Sequence, residues 1–247
     1  MKKKDHIRIC LLTTLAIVLI LINTCKKDDK NPTNNKTEII FNSKKNYSTI
    51  TDIESNVYKT ITIGTQTWMA ENLRTCHFRN GLSIPEETNH IDWTNLSTCA
   101  FCNYNNTKNN DTIIKFGRLY NWYTVSGTNN IAPDGWHVPS EVEWSTLITY
   151  LGGVYIAGIN MKEAGITHWL NLNPDTDNSS GLTLLPSGYR DNIEGEFVGI
   201  GTKGVWWSST EFDSSNAWRQ HVYNNQSFVF GTVINKSCGF SIRCIKN

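Results

Sequence analysis

The sequence predicts an α+β protein built of small antiparallel sheets, one or two helices and long loops. Three observations carry that expectation: a helix with a legible start and stop near residue 140, strand-like alternation at both ends of residues 57–247, and long Asn-rich stretches that fit neither pattern.

The helix is announced by "DGWHVPSEVEW", Asp134 to Trp144. Ser140 followed by Glu143 is the spacing of a capping box, in which each side chain serves the other residue's backbone N–H. Trp144, Leu147, Ile148 and Leu151 then recur at i, i+3, i+4 and i+7, the rhythm of one buried helical face, and Gly152-Gly153 supplies the stop. A helix over about 141–151 follows. "GINMKEAG" downstream predicts a second, shorter helical piece.

At the front, "VYKTITIGTQTWMAENL", Val57 to Leu73, alternates β-branched and polar residues about Gly64-Thr65 and reads as a hairpin. From Arg74 to Lys115 the chain is polar and turn-laden, with Trp93 and Phe101 as isolated apolar anchors, and reads as loop rather than core. "GRLYNWYTV" predicts a short helix or a buried turn leading through the "PDG" turn into the capped helix, and Ile166 to Ser187 reads as a second long loop. The last third is strand-like: "VWWSST", "NAWRQHVY", "SFVFGTV" and "CGFSIRCIK" are separated by Asn-rich turns. In the final strand Phe240, Ile242 and Cys244 share one face and Ser241 and Arg243 the other.

Ahead of this region lies a leader. "MKKKDHIRIC LLTTLAIVLI LINTC" has a basic head and an apolar run from Ile9 to Ile22, shorter than the ~20 residues a membrane span requires. It reads as an export signal, 1–24. With Cys25 directly after the apolar run and "KKDD" behind it, the segment resembles a bacterial lipoprotein signal whose cysteine is lipidated. Two or three acyl chains make a stable anchor, each buried methylene adding ~0.8 kcal/mol. Residues 25–56 are then a lipid-anchored tether and 57–247 one domain of about 190 residues, large enough for a sizeable core. The expected location is the outer membrane, facing outward.

Net charge is +1, which gives no footprint for nucleic acid. Of seven cysteines, Cys10 lies in the leader and Cys25 is the lipid site, leaving Cys76, Cys99, Cys102, Cys238 and Cys244. In an oxidising compartment these are disulfide candidates, though an odd number leaves at least one free. Cys238 and Cys244 lie about 20 Å apart along a strand, too far to pair with each other. Cys102 or Cys99 is the expected partner of Cys244. "CAFC", Cys99 to Cys102, lacks a second ligand pair for zinc.

Other constellations are weaker. "NPDTDNSSG", Asn173 to Gly181, places oxygens at alternate positions, but Asn178 and Leu184 stand where an EF-hand needs Gly and Glu. It reads as a solvated turn, with Asp175 and Asp177 the candidates for a structural calcium; no other cofactor is expected. Glu141, Glu143, Glu194, Glu196 and Glu211 are scattered, and His77, His90, His137, His168 and His221 show no metal spacing. Among nine tryptophans, Trp206 and Trp207 are consecutive in a strand and point to opposite faces, so one is core and the other free to stack on a sugar. With Arg190 and Glu211 they form the candidate ligand contacts.

"TIGTQTWMAENLRT", "GRLYNWYTV", "APDGWHVPSEVEWSTLITYLGG", "SSGLTLLPSGYR", "GVWWSSTE" and "GFSIRCIK" resemble, in that order, the Fibrobacter-type major paralogous domain (FISUMP) family, secreted or lipid-anchored bacterial surface proteins. More distantly, "WHVPSEVEW" and "GFSIRC" are similar to segments of formylglycine-generating proteins, which implies a C-type-lectin-like fold with its first and last strands paired. Neither the reactive cysteine pair of those enzymes nor the Glu-Pro-Asn, Gln-Pro-Asp and Trp-Asn-Asp motifs of calcium lectins is reproduced. The expected function is a lipid-anchored surface module that binds or adheres to extracellular polysaccharide or another surface ligand. The alternative is a structural or protein-interaction module of the envelope, with an enzyme behind both.

Overall fold

The computed structural model describes residues 38–247; the leader, Cys25 and the lipoprotein signal lie outside them. In chain order the elements are β1 (Ser48–Thr51), β2 (Val57–Ile63), β3 (Gln66–Met69), α1 (His90–Thr94), β4 (Phe101–Cys102), α2 (Asn110–Phe116), β5 (Leu119–Tyr120), α3 (Trp122–Ser126), β6 (Trp136–His137), α4 (Glu141–Tyr150), α5 (Ala157–Met161), β7 (Ser187–Arg190), β8 (Phe197–Ile200), β9 (Lys203–Glu211), β10 (Asn216–Tyr223), β11 (Val229–Asn235) and β12 (Ile245–Lys246). The architecture is mixed, mostly sheet with few short helices, and none of the described helices is long and apolar enough to cross a membrane.

Two five-stranded sheets run β1-β2-β3-β12-β6 and β11-β10-β9-β7-β8, with β4-β5 a small third. The N-terminal hairpin and the C-terminal strand share the first sheet, Ile245 pairing with both Trp68 and His137. The second sheet is antiparallel except where β7 meets β9 at Gly188 and Gly204. There the strands approach so closely that a Cβ on Gly204 would lie 2.7 Å from the Leu185 carbonyl oxygen, which only glycine avoids.

The capped helix forms as its spacing requires. Ser140 Oγ accepts from the Glu143 N–H, Glu143 Oε2 accepts from the Ser140 N–H at 2.7 Å, and Trp144, Leu147 and Ile148 are buried. Gly152 and Gly153, at φ of 99° and 89°, end it.

Several expectations are corrected. Residues 38–56 do not stand apart as tether: β1 pairs along β2, Tyr47 Oη donates to the Gly181 carbonyl, and the Ile40 N–H donates to Glu163 Oε1. This segment docks through backbone and polar contacts, which apolar patterning does not register. Arg74 to Lys115 is not mere loop, for it carries α1, α2 and β4 and buries Phe78, Ile84, Trp93, Phe101 and Cys102. The expected final strand is only β12; residues 236–245 are buried throughout, Ser241 and Arg243 included. A segment enclosed on every side has no polar face, so alternation misleads there.

Inside, the core forms two large clusters, one around Tyr58, Tyr120, Trp207 and Phe240, the other around Trp68, Trp144, Trp169 and Trp206. Consecutive Trp206 and Trp207 therefore do point oppositely, yet each enters a core. Between the clusters Arg243 is wholly buried. Its guanidinium donates to Asn72 Oδ1 at 2.6 Å and to the carbonyls of Met69, Leu182 and Thr183 at 3.0, 2.9 and 3.0 Å. Asn72 Oδ1 also accepts from Trp206 Nε1, and Asn72 Nδ2 donates to the Phe116 carbonyl. Burial pulls the Arg243 pKa down to about 9, which leaves it charged at neutral pH.

Removing this side chain strands several buried acceptors at about 1–3 kcal/mol each. Arg243→Met is expected to lower unfolding free energy in urea by at least about 3 kcal/mol; a loss within ~0.5 kcal/mol, typical of a surface site, would refute the assignment.

Candidate functional site

Eight of the nine tryptophans are buried: Trp68, Trp93, Trp122, Trp136, Trp144, Trp169, Trp206 and Trp207; only Trp218 is half-buried. Trp206 and Trp207 are each 0% exposed, so neither can stack on a ligand. Arg190 is also wholly buried, with Nε donating to the Gly195 carbonyl and the Nη atoms to those of Glu87, Thr88 and Asn89. Glu211 is an exposed partner of Lys236. The four expected ligand contacts thus do not assemble, because three of them are structural.

The cysteine pairings do not form either. Cys76, Cys99, Cys102, Cys238 and Cys244 are all free. Of the two expected partners of Cys244, which sits in the first core cluster, Cys102 lies in a separate cluster beside Trp93 and Leu119, and Cys99 packs against the first cluster but is free. Burial pushes the Cys102 and Cys238 thiols up to about 12 and Cys244 higher still, so they behave as small apolar groups. Asp175 and Asp177 are exposed and serve turns, Asp177 Oδ1 accepting from the Ser179 N–H. The carboxylates considered for hydrolysis are engaged separately: Glu141 with Gln220, Glu143 with His137 and Ser140, Glu196 with His90.

What the fold does assemble lies on one face of the second sheet. Period-two geometry sets Arg219, His221 and Tyr223 of β10 on one side, and the register places Trp207, Val205 and Lys203 of β9 opposite them. From β11, Phe230 pairs with His221 and Thr232 with Arg219. Lys203 Nζ lies over the Tyr189 and Tyr223 rings at 4.7 and 5.0 Å, and the Arg219 guanidinium over Phe240 at 5.3 Å. The rings continue outward as a row. His221 stacks on Phe230 with centroids 5.1 Å apart, Phe230 meets Phe228 at 5.8 Å, and Phe228 meets exposed Tyr155 at 5.4 Å.

The charge balance here is unusual for this molecule. Among the described residues the buried cations Lys162, Arg190, Lys236 and Arg243 all donate to backbone carbonyls, as do half-buried Arg79 and Arg118. Lys203 and Arg219 do not, and neither is in a salt bridge among those residues. Asp191, whose charge acts on neighbouring Tyr189, is occupied by the N–H groups of Ile193, Glu194 and Gly195. Arg219 Nε, His221 Nδ1 and Thr232 Oγ1 are buried without a hydrogen-bond partner. Burial, then repulsion from Arg219, holds the Lys203 ammonium below its ordinary pKa. Two cations and unpaired polar atoms among aromatic rings are the requirements of a site for an anionic group.

Sequence reasoning missed this constellation because its members come from four strands. The one readable signal was the alternation of Arg219, His221 and Tyr223 within "NAWRQHVY".

His221 gives the site a pH signature. Burial, then Arg219 and Lys203, lowers its pKa to about 3, against an ordinary value of 6.5. Between those values the unfolded chain binds the additional proton. Stability is therefore fully present above about 6.5 and falls toward pH 3 by at most ~1.4 kcal/mol per unit from this group. Urea unfolding at pH 7 and pH 4 is expected to show a smaller loss for His221→Gln than for the wild type; equal losses would remove His221 from the account.

No curated protein and no solved structure shows a significant match to the chain. Residues 61–246 match the Fibrobacter succinogenes major domain, and the chain belongs to that family.

Proposed function

We propose that the protein is a lipid-anchored recognition module of the outer cell surface that binds an acidic extracellular polysaccharide. The observation that carries this reading is the pair Lys203 and Arg219, two neighbouring, partly buried cations that have no carbonyl or carboxylate partner among the described residues and lie among unpaired polar atoms. A carboxylate or sulfate gains charge-assisted hydrogen bonds there, and the edge-to-face row from Tyr223 through Phe230 and Phe228 to Tyr155 flanks it with aromatic surface for sugar rings. A row of this extent suits a polymer better than a small metabolite. Resemblance of "WHVPSEVEW" to formylglycine-generating proteins supports a C-type-lectin-like ancestry for such a module.

For the anchor, Cys25 is the lipid attachment, and residues 26–37 separate it from the described part of the chain. Labelled palmitate is expected to enter the wild type and not Cys25→Ala, with the variant released from the membrane fraction; equal labelling of both would exclude this anchor.

Binding is tested by titrating the protein with uronic-acid oligosaccharides and with their carboxyl-reduced counterparts. Hydrogen bonds to charged groups contribute about 1.5–3 kcal/mol, so Lys203→Gln and Arg219→Gln are each expected to weaken acidic-ligand binding about tenfold or more, with circular dichroism unchanged. Binding should also weaken with salt. Equal affinity for both ligand forms would remove the cationic pair from recognition, and none for either would favour the structural or protein-interaction reading.

A further inference from the structure

On the first sheet's flank, remote in sequence from the cationic face, three donors of different chemistry come together. Glu54, Cys76 and His77 each offer one ligand atom, and these atoms all lie within 4.8 Å of one another. All three residues are half-buried, so an ion can reach them without unfolding the chain. We propose that they form a transition-metal site, suited to Zn²⁺, with the remaining coordination position open to water.

The donor set argues for that class of ion. A thiolate, an imidazole nitrogen and one carboxylate oxygen suit zinc and its neighbours, whereas calcium and magnesium take oxygen ligands. Zn²⁺ with the Glu54 carboxylate and the Cys76 thiolate is neutral overall, the thiol proton leaving to solvent as the Zn–S bond forms. Geometry agrees. Zn–S of about 2.3 Å and Zn–N of about 2.1 Å at a tetrahedral angle give an S···N separation of about 3.6 Å, and Cys76 Sγ lies 3.6 Å from His77 Nδ1. Glu54 Oε1, now 2.6 Å from His77 Nδ1, has to move back by under about 1 Å to admit the ion.

The supports are already in place. The Ile84 N–H donates to the Cys76 carbonyl, His77 bridges to Ser83, and the Cys76 N–H donates to Glu54 Oε1. The turn carrying Glu54 is held by Asp52 Oδ1, which accepts from the N–H groups of Glu54 and Asn56. Sequence spacing hides the cluster, because Glu54 stands 22 residues before Cys76 in a stretch that reads as tether.

The test is a titration of the reduced full-length protein with Co²⁺, followed by Zn²⁺. Thiolate-to-cobalt charge transfer in the near ultraviolet is expected to saturate at one ion per chain and to vanish on adding Zn²⁺. Cys76→Ser should abolish it, and Glu54→Gln and His77→Ala should each weaken cobalt binding about tenfold or more, with circular dichroism reporting that each variant is folded. A wild type without the band, a band that persists in Cys76→Ser, or one that Zn²⁺ leaves in place would each overturn the proposal.

Discussion

A fold rich in long loops must provide hydrogen-bond donors for the carbonyls it buries, and this one does so with enclosed cations. Arg243 ties Met69 of the first sheet to Leu182 and Thr183 of a long loop, while sharing Asn72 with Trp206 of the second sheet. Arg190 gathers the carbonyls of residues 87–89 and of Gly195, its plane set over Trp93 at 4.5 Å and Phe197 at 4.9 Å. Lys162 does the same for Tyr223, Asn224 and Gln226 at the β10–β11 turn. Water would satisfy these carbonyls at a surface. Inside, an unpaired carbonyl costs about as much as a lost hydrogen bond, and a charged donor with several N–H groups closes several such gaps together. Desolvating the cation opposes this; Lys162 is pulled down to about 8 by burial alone.

That rule makes its exceptions informative. Lys203 and Arg219 are partly desolvated yet hold no carbonyl, and they stand where β7 presents Tyr189 and β10 presents Tyr223 and His221. Stability alone gives no reason to bring two like charges together beside unpaired polar atoms. On the reading proposed above, an arriving anion supplies the missing partner, and a site whose groups are already placed loses less ordering entropy on binding.

Much of the architecture was legible. The capping box at Ser140 and Glu143, the hairpin after Val57 and the strands of the last third follow from local chemistry that tertiary packing leaves intact. The failures share a cause. Trp206 and Trp207 were read as strand residues of which one faces outward, whereas both faces are covered, and one-dimensional alternation carries no information about a second layer. The docking of residues 38–56 was hidden because it rests on a ladder and on polar contacts such as Tyr47 to Gly181. The cationic face was legible only strand by strand. Nothing along the chain brings Tyr189, Lys203, Arg219 and Phe230 together; only the strand order β11-β10-β9-β7 does.

The most direct measurement is a crystal structure of the protein with a uronic-acid oligosaccharide bound. A carboxylate is expected between Lys203 Nζ and the Arg219 guanidinium, with sugar rings over Phe230 or Phe228 and the sheet backbone unmoved. Density for the sugar elsewhere, or Lys203 and Arg219 turned onto carboxylates of their own chain, would contradict it.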